Sequence, residues 1–164
     1  MDLTEFNALD DAAAAAAVRP ALDVPRWIDE VVSHRPYDTV AAALDTARTA
    51  AHPLTDEELD RALSHHPMIG RRAEGDSTEA SLSRGEQAAL GDADAVVRAE
   101  LERANLDYQQ RFGHVFLIRA AGRSLPEILT EARRRMTNTP EDERREVAEQ
   151  LRQIAVLRLA GALS

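Results

Sequence analysis

The sequence predicts an all-α protein, a single-domain bundle of about seven to nine helices. Helix-start signals recur from one end of the chain to the other, and the apolar residues between them follow helical spacing. Alternation typical of a strand occurs once at most. A chain of 164 residues has the size of one domain and can bury a core without metals or disulfides. We therefore expect residues 1–164 to form one domain.

The first two predicted helices precede residue 36. The alanine-rich run Asp11–Val18 is a strong helix former that Pro20 stops. A second helix begins at Pro25, because proline suits the first helical turn, and ends before Pro36.

Two more predicted helices lead to a histidine. Asp38 is placed to cap a helix over residues 40–51. Thr55 and Glu58 then have the spacing of a capping box, in which each side chain satisfies the other residue's backbone amide. The helix that starts there brings the chain to His66.

The middle of the chain is predicted to contain a loop and two helices. Residues 71–77 are rich in Gly, Asp and Ser and should form a surface loop, which precedes a helix near residues 82–90. Asp92 or Asp94 opens a longer helix, which ends where Gly113 takes the position usual for a C-terminal glycine.

Residues 114–119 are the single β-like run. They should form an extended connector, because another helix begins a few residues later with a capping box formed by Ser124 and Glu127. That helix runs to Met136, and Pro140 starts the last one, whose apolar residues fall on one face.

Composition excludes several kinds of chemistry. The chain has no cysteine, so disulfides, zinc-thiolate sites and thiolate nucleophiles are excluded. All 20 basic residues are arginine, so no lysine is available for a Schiff base or for covalent attachment of pyridoxal phosphate. No histidine pair has the spacing that places two metal ligands on one helical face. We therefore expect no cofactor and no metal.

Charge and hydropathy limit the classes of partner that the protein can have. A formal net charge of −9 argues against nucleic acid, which is bound mainly through a basic face. No apolar run approaches the roughly 20 residues of a membrane span, and the N-terminus is acidic where a signal peptide would be basic. We expect a cytoplasmic protein that binds neither nucleic acid nor membrane.

His66 is the first candidate for chemistry. Because it precedes Pro67, its backbone is held away from the α region, and its side chain is presented from a fixed, non-helical position. The chain has five histidines, and a histidine is more often a surface or capping residue than a catalyst. His65 lacks the following proline and is predicted to have no chemical role.

Two other segments are candidates for binding, and each also has a structural interpretation. Ser83-Arg84-Gly85-Glu86-Gln87 begins seventeen residues after the histidine, and its serine and glutamate are spaced as a capping box. A helix N-terminus would also present amides to an anion. In the second segment, small residues between two arginines let a ligand approach the backbone closely, although an arginine after an apolar run is usually a surface charge. Its residues are Ile118, Arg119, Ala120, Ala121, Gly122 and Arg123.

The chain resembles the 2-oxo-4-hydroxy-4-carboxy-5-ureidoimidazoline (OHCU) decarboxylases of uric acid breakdown. The motifs that carry the resemblance occur in order over nearly the whole chain: HPMIG, SRGEQ, FGHVFLIRAAGRS, RRMTNTPEDE and LRQIAVLRL. The resemblance implies cofactor-independent conversion of OHCU to (S)-allantoin and CO2. It also implies that the protein forms a homodimer, to which Trp27 or the last helix could contribute an interface.

The resemblance also assigns roles to the candidate residues. His66 becomes the general acid-base group and Glu86 its carboxylate partner. The resemblance assigns substrate binding to Pro67, Ser83, Arg84, Gly85, Glu86 and Gln87. The segment from Ile118 to Arg123 also binds the substrate, mostly through the main chain of that segment. Some members carry an arginine where this chain has Ala121, so it stays open whether Arg119, Arg123 or neither meets the substrate carboxylate.

Two alternatives belong to other functional classes. A helical module that binds a ureide or other small anion without turning it over would keep the pocket and need no acid-base pair. An acidic helical interaction protein would have SRGEQ as a cap and HPMIG as a turn.

For the C-terminal motif LRQIAVLRL, we expect Arg158 to lie at the solvent edge of a helix that packs through Leu159.

Overall fold

The computed structural model of the protein describes residues 1–66 and 95–164. These two ranges contain eight α-helices and no β-strand, which confirms the all-α prediction. In chain order the helices are α1 (Leu3–Ala8), α2 (Asp11–Val18), α3 (Pro25–Ser33), α4 (Val40–Thr49), α5 (Asp56–Leu63), α6 (Ala95–Phe112), α7 (Leu125–Arg135) and α8 (Pro140–Ala162). The loop predicted at residues 71–77, the helix predicted near residues 82–90, and Asp92 and Asp94 lie outside the described residues.

Capping boxes begin two of the helices as predicted. The amide of Glu58 donates to Thr55 Oγ1 over 3.2 Å, and the amide of Thr55 donates to the Glu58 carboxylate over 2.8 Å. Ser124 and Glu127 make the same pair of bonds before α7. These reciprocal bonds satisfy backbone donors that the first helical turn leaves unpaired.

The ends of α4 differ from the prediction. Thr39, not Asp38, caps this helix: its backbone is extended, and its hydroxyl accepts from the amide of Ala42 over 3.1 Å. Asp38 stands one residue too early for that bond. The helix ends at Thr49 rather than at Ala51, because Ala50 has a ψ of 141°, outside the α region, and Ala51 follows with a positive φ of 52°.

The chain divides into two compact units. The first consists of residues 1–62 and 151–164, and the second of residues 63–150. In the first unit α3 packs against α2 and α4. Trp27 on α3 is fully buried, and its indole N–H donates to the carbonyl of Ala47 over 3.0 Å. The suggestion that Trp27 contributes to a dimer interface is therefore wrong, because this side chain belongs to the core of its own unit.

Two arginines of the C-terminal helix α8 are buried in the first unit. Arg152 donates to the carbonyls of Ala50 and Ala51, over 2.7 Å each, where α4 ends. Arg158 is 7% exposed and donates to the carbonyl of Pro20 over 3.2 Å. The expectation that Arg158 lies at a solvent edge is wrong, because its guanidinium satisfies a backbone carbonyl inside the unit.

The core of the second unit lies between α6 and α7, which pack against each other. The connector that joins the two helices, residues 113–124, adds apolar side chains to this core. The core residues are Leu101, Tyr108, Phe116, Ile118, Ala120, Leu125, Ile128, Leu129 and Ala132. None of the helices in the described ranges has the length and apolar character needed to cross a membrane.

Candidate active site

His66 lies just beyond the C-terminal end of α5. The helix ends at Leu63, and the amide of His66 donates to the carbonyl of Leu63 over 3.1 Å, which closes a turn. The side chain of His66 is partly exposed, while that of His65 is exposed. As predicted, the histidine sits outside the helix, in a position that solvent or a ligand can reach.

Several predicted site residues lie outside the described part of the chain. They are Pro67, Ser83, Arg84, Gly85, Glu86 and Gln87. Their assignments, including the pairing of Glu86 with His66, stay predictions.

The connector between α6 and α7 carries the other predicted binding segment. It starts at Gly113, whose φ of 81° and bond to the carbonyl of Gln109 end α6 as predicted. Residues 115–120 then run without helix, turn or bend, as expected of an extended connector. A turn follows, in which the amide of Arg123 donates to the carbonyl of Ala120 over 3.1 Å and Gly122 has a φ of 77°.

The side chains of this segment are divided between core and site. Leu117 and Ile118 are buried, at 3% and 2% exposure. Arg119 and Arg123 are half-buried, so neither is the freely solvated surface charge that the structural interpretation implied. Among the described residues, the Nε atoms of these two arginines are buried and have no hydrogen-bond acceptor. Neither guanidinium is fully satisfied there by protein groups, which favours a role for this segment in binding an anion.

A buried ion pair fixes one end of this segment. Arg135 on α7 is 1% exposed, and its Nε donates to Glu143 of α8 over 2.8 Å. Its Nη1 donates to the carbonyl of Leu117 over 2.6 Å, and its guanidinium stacks over Phe116, 4.6 Å from the ring centre. The ion pair therefore ties the connector to the two helices that follow it.

Further hydrogen bonds complete the surroundings of Glu143. The hydroxyl of Tyr108 donates to Oε1, and the side-chain amide of Asn138 donates to Oε2 over 3.0 Å. Burial and the neighbouring carboxylate raise the pKa of Tyr108 well above its usual 10, so the phenol stays a neutral donor. Within the RRMTNTPEDE motif, Arg135, Asn138 and Glu143 are therefore structural partners.

Sequence reasoning missed Gln150. Its side-chain oxygen accepts from the amide of Arg119 over 2.8 Å and so contacts the predicted binding segment directly. Spacing within one helix could not have revealed a partner 31 residues away.

Within residues 1–66 and 95–164, no three His, Asp or Glu side chains are grouped so as to hold a metal ion.

Comparison with known proteins gives a consistent family. A curated relative from Haloferax volcanii, 2-oxo-4-hydroxy-4-carboxy-5-ureidoimidazoline decarboxylase, is 29% identical over all of this chain and 97% of its own length. A protein of the same name from Amia calva is 37% identical over 57% of this chain and 55% of its own length.

Two solved structures share the fold. One is a crystal structure of OHCU decarboxylase in the presence of (S)-allantoin, with a TM-score of 0.69, 25% identity, and coverage of 94% of this chain and 99% of that one. The other is (S)-allantoin synthase, with a TM-score of 0.71 over 99% of this chain and 54% of that one; at 14% identity it supports the fold alone. A family model described as OHCU decarboxylase matches residues 7–160, and the chain belongs to this family.

Proposed function

We propose that this family member catalyses decarboxylation of OHCU to (S)-allantoin and CO2 in uric acid breakdown, with His66 as the general acid-base group and without a cofactor. The match of the OHCU decarboxylase family over residues 7–160 carries the proposal. The position of His66 beyond the end of α5, partly exposed, supports its assignment.

The substrate itself supplies the electron sink. When the bond to the carboxylate breaks, CO2 leaves and the bonding pair forms a C=C bond to the carbon of the adjacent C=N group, while the C=N π pair moves onto the nitrogen, which takes up a proton. A proton must then be delivered to one face of the carbon that becomes the stereocentre. The enzyme adds orientation, proton transfer and choice of face, since the spontaneous reaction gives a racemate.

His66 interacts with the ring hydroxyl in this proposal, and it supplies or relays the proton. Glu86 is its partner, because a nearby carboxylate favours the charged imidazole and would raise the histidine pKa towards neutrality. Ser83 and Gln87 hold polar groups of the substrate, with Arg84 and Gly85 in the same segment, and Pro67 shapes the pocket.

The connector supplies the opposite set of contacts. Backbone groups of residues 118–122 bind the ureido and ring carbonyl groups, while Arg119 or Arg123 meets the carboxylate. Their incompletely satisfied guanidinium groups support this assignment.

The organisation of the protein completes the proposal. Residues 1–164 form one OHCU decarboxylase domain, which functions as a cytoplasmic homodimer whose ligand is the small-molecule substrate. The continuous family match over residues 7–160 supports the single domain.

Incubation with freshly made OHCU tests the function. Circular dichroism at an allantoin band should show rapid formation of one enantiomer. Saturable binding without turnover would instead identify a ureide-binding module. If neither turnover nor binding is observed, only the interaction-protein alternative remains.

A further inference from the structure

The connector residues 115–120 form no helix, turn or bend. In a planar trans peptide unit, the C=O of one residue and the N–H of the next point in opposite directions. The carbonyl of Leu117 therefore points away from the N–H of Ile118, and the amide of Arg119 points away from the C=O of Ile118; these two held groups form the first side of the connector. The N–H and C=O of Ile118 form the second side.

Both groups on the first side are held by side chains of the second unit. Arg135 donates to the carbonyl of Leu117 over 2.6 Å, and Gln150 accepts from the amide of Arg119 over 2.8 Å. Arg135 cannot move easily, because it is buried in its ion pair with Glu143. The connector is thus held on both sides of Ile118.

The groups on the second side are different. Within the described residues, the N–H and C=O of Ile118 have no hydrogen-bond partner, although the residue is only 2% exposed. Buried or half-buried backbone groups normally find a partner. A ureide presents an N–H beside a C=O, which complements the C=O and N–H of a single extended residue.

We propose that Gln150 is a positioning residue for the decarboxylation: by holding the amide of Arg119, it fixes the N–H and C=O of Ile118 in the orientation that binds the ureide part of the substrate. This inference rests on the proposed function. Gln150 does not touch the substrate in this account, and it acts through the orientation of the connector alone.

Variants of Gln150 test the inference better than variants of Arg135, whose removal would leave a buried charge. Gln150→Ala removes the acceptor, whereas Gln150→Glu keeps an oxygen that can accept from the same amide. Gln110→Ala, an exposed glutamine on α6 of the same unit, is the matched control.

For Gln150→Ala we expect kcat/KM to fall about tenfold, the scale of one lost hydrogen bond, mainly through a higher KM. The pH dependence of kcat should not move, since His66 is untouched. Gln150→Glu and Gln110→Ala should stay within about threefold of wild type. Exchange of the Arg119 amide with solvent, followed by NMR, should accelerate in Gln150→Ala alone.

Three results would overturn the inference. They are a Gln150→Ala enzyme with wild-type KM, a Gln150→Glu enzyme as impaired as Gln150→Ala, and an Arg119 amide whose exchange is unchanged in Gln150→Ala. Failure of the proposed function is distinguishable, because wild-type protein would then produce no allantoin from OHCU.

Discussion

Substitution of Glu143 by glutamine should destabilise the protein strongly. Glu143 is fully buried and faces the guanidinium of Arg135, which is 1% exposed. Glutamine keeps the shape of the side chain and one carbonyl oxygen, but it removes the negative charge. The guanidinium would then remain buried without its main counter-charge.

The magnitude follows from the surroundings of the pair. Breaking a buried ion pair by neutralising one partner typically costs about 3–5 kcal/mol. We expect about 3 kcal/mol, the lower end of that range, because Glu146 lies 3.3 Å from Arg135 Nε and retains part of the attraction. Tyr108 cannot compensate, since its raised pKa keeps the phenol neutral.

Thermal and denaturant unfolding measure this loss. For a chain of this size 1 kcal/mol corresponds to about 2–4 °C in Tm, so Glu143→Gln should lower Tm by about 6–12 °C. Asp45→Asn is the control, because Asp45 is 74% exposed and pairs with Arg48 on the surface of α4. Exposed pairs contribute less than about 1 kcal/mol. If Glu143→Gln unfolds no more easily than Asp45→Asn, the energetic argument for the buried pair is refuted.

Four further predictions concern activity and pH. His66→Asn should abolish stereospecific allantoin formation in a folded protein while His65→Asn stays mild; a folded His66→Asn enzyme with most of its activity would end the assignment. Glu86→Gln should lower turnover roughly a hundredfold and shift the pH-rate profile, and an unchanged profile with a slightly lower Tm would reduce Glu86 to a helix cap. Activity should survive exhaustive dialysis against chelator, and recovery only on addition of a metal ion would contradict this. The hydrogen bond from Arg26 holds the pKa of Glu58 below its usual 4.5, so this pair stabilises the fold above that pH, and its contribution is lost as pH falls through the lowered value. Glu58→Gln should therefore be less stable than wild type at neutral pH, by up to about 1 kcal/mol. The difference should shrink in acid, and denaturant curves showing a gap independent of pH would contradict it.

Local sequence patterns determined where most described helices begin and end. Such patterns act within one helical turn, so a few neighbouring residues are enough to predict them. Examples are the capping boxes that begin at Thr55 and Ser124 and the helix-ending glycine at position 113. The proline that follows His66 is an equally local signal, and it predicted that this histidine lies outside a helix. The prediction was wrong at Asp38, where two adjacent residues were both able to cap and backbone conformation selected Thr39.

The tertiary structure alone decided the roles of several polar and aromatic residues. Arginine is usually solvated, yet Arg135 and Arg158 are buried, because each donates to a backbone carbonyl and Arg135 also pairs with a carboxylate. Trp27 likewise lies in the core. Gln150 meets the amide of Arg119 only because the fold brings α8 beside the connector. Partners distant in sequence leave no periodic signal, so the packing of the elements, and not their local patterns, determines which side chains hold the candidate site.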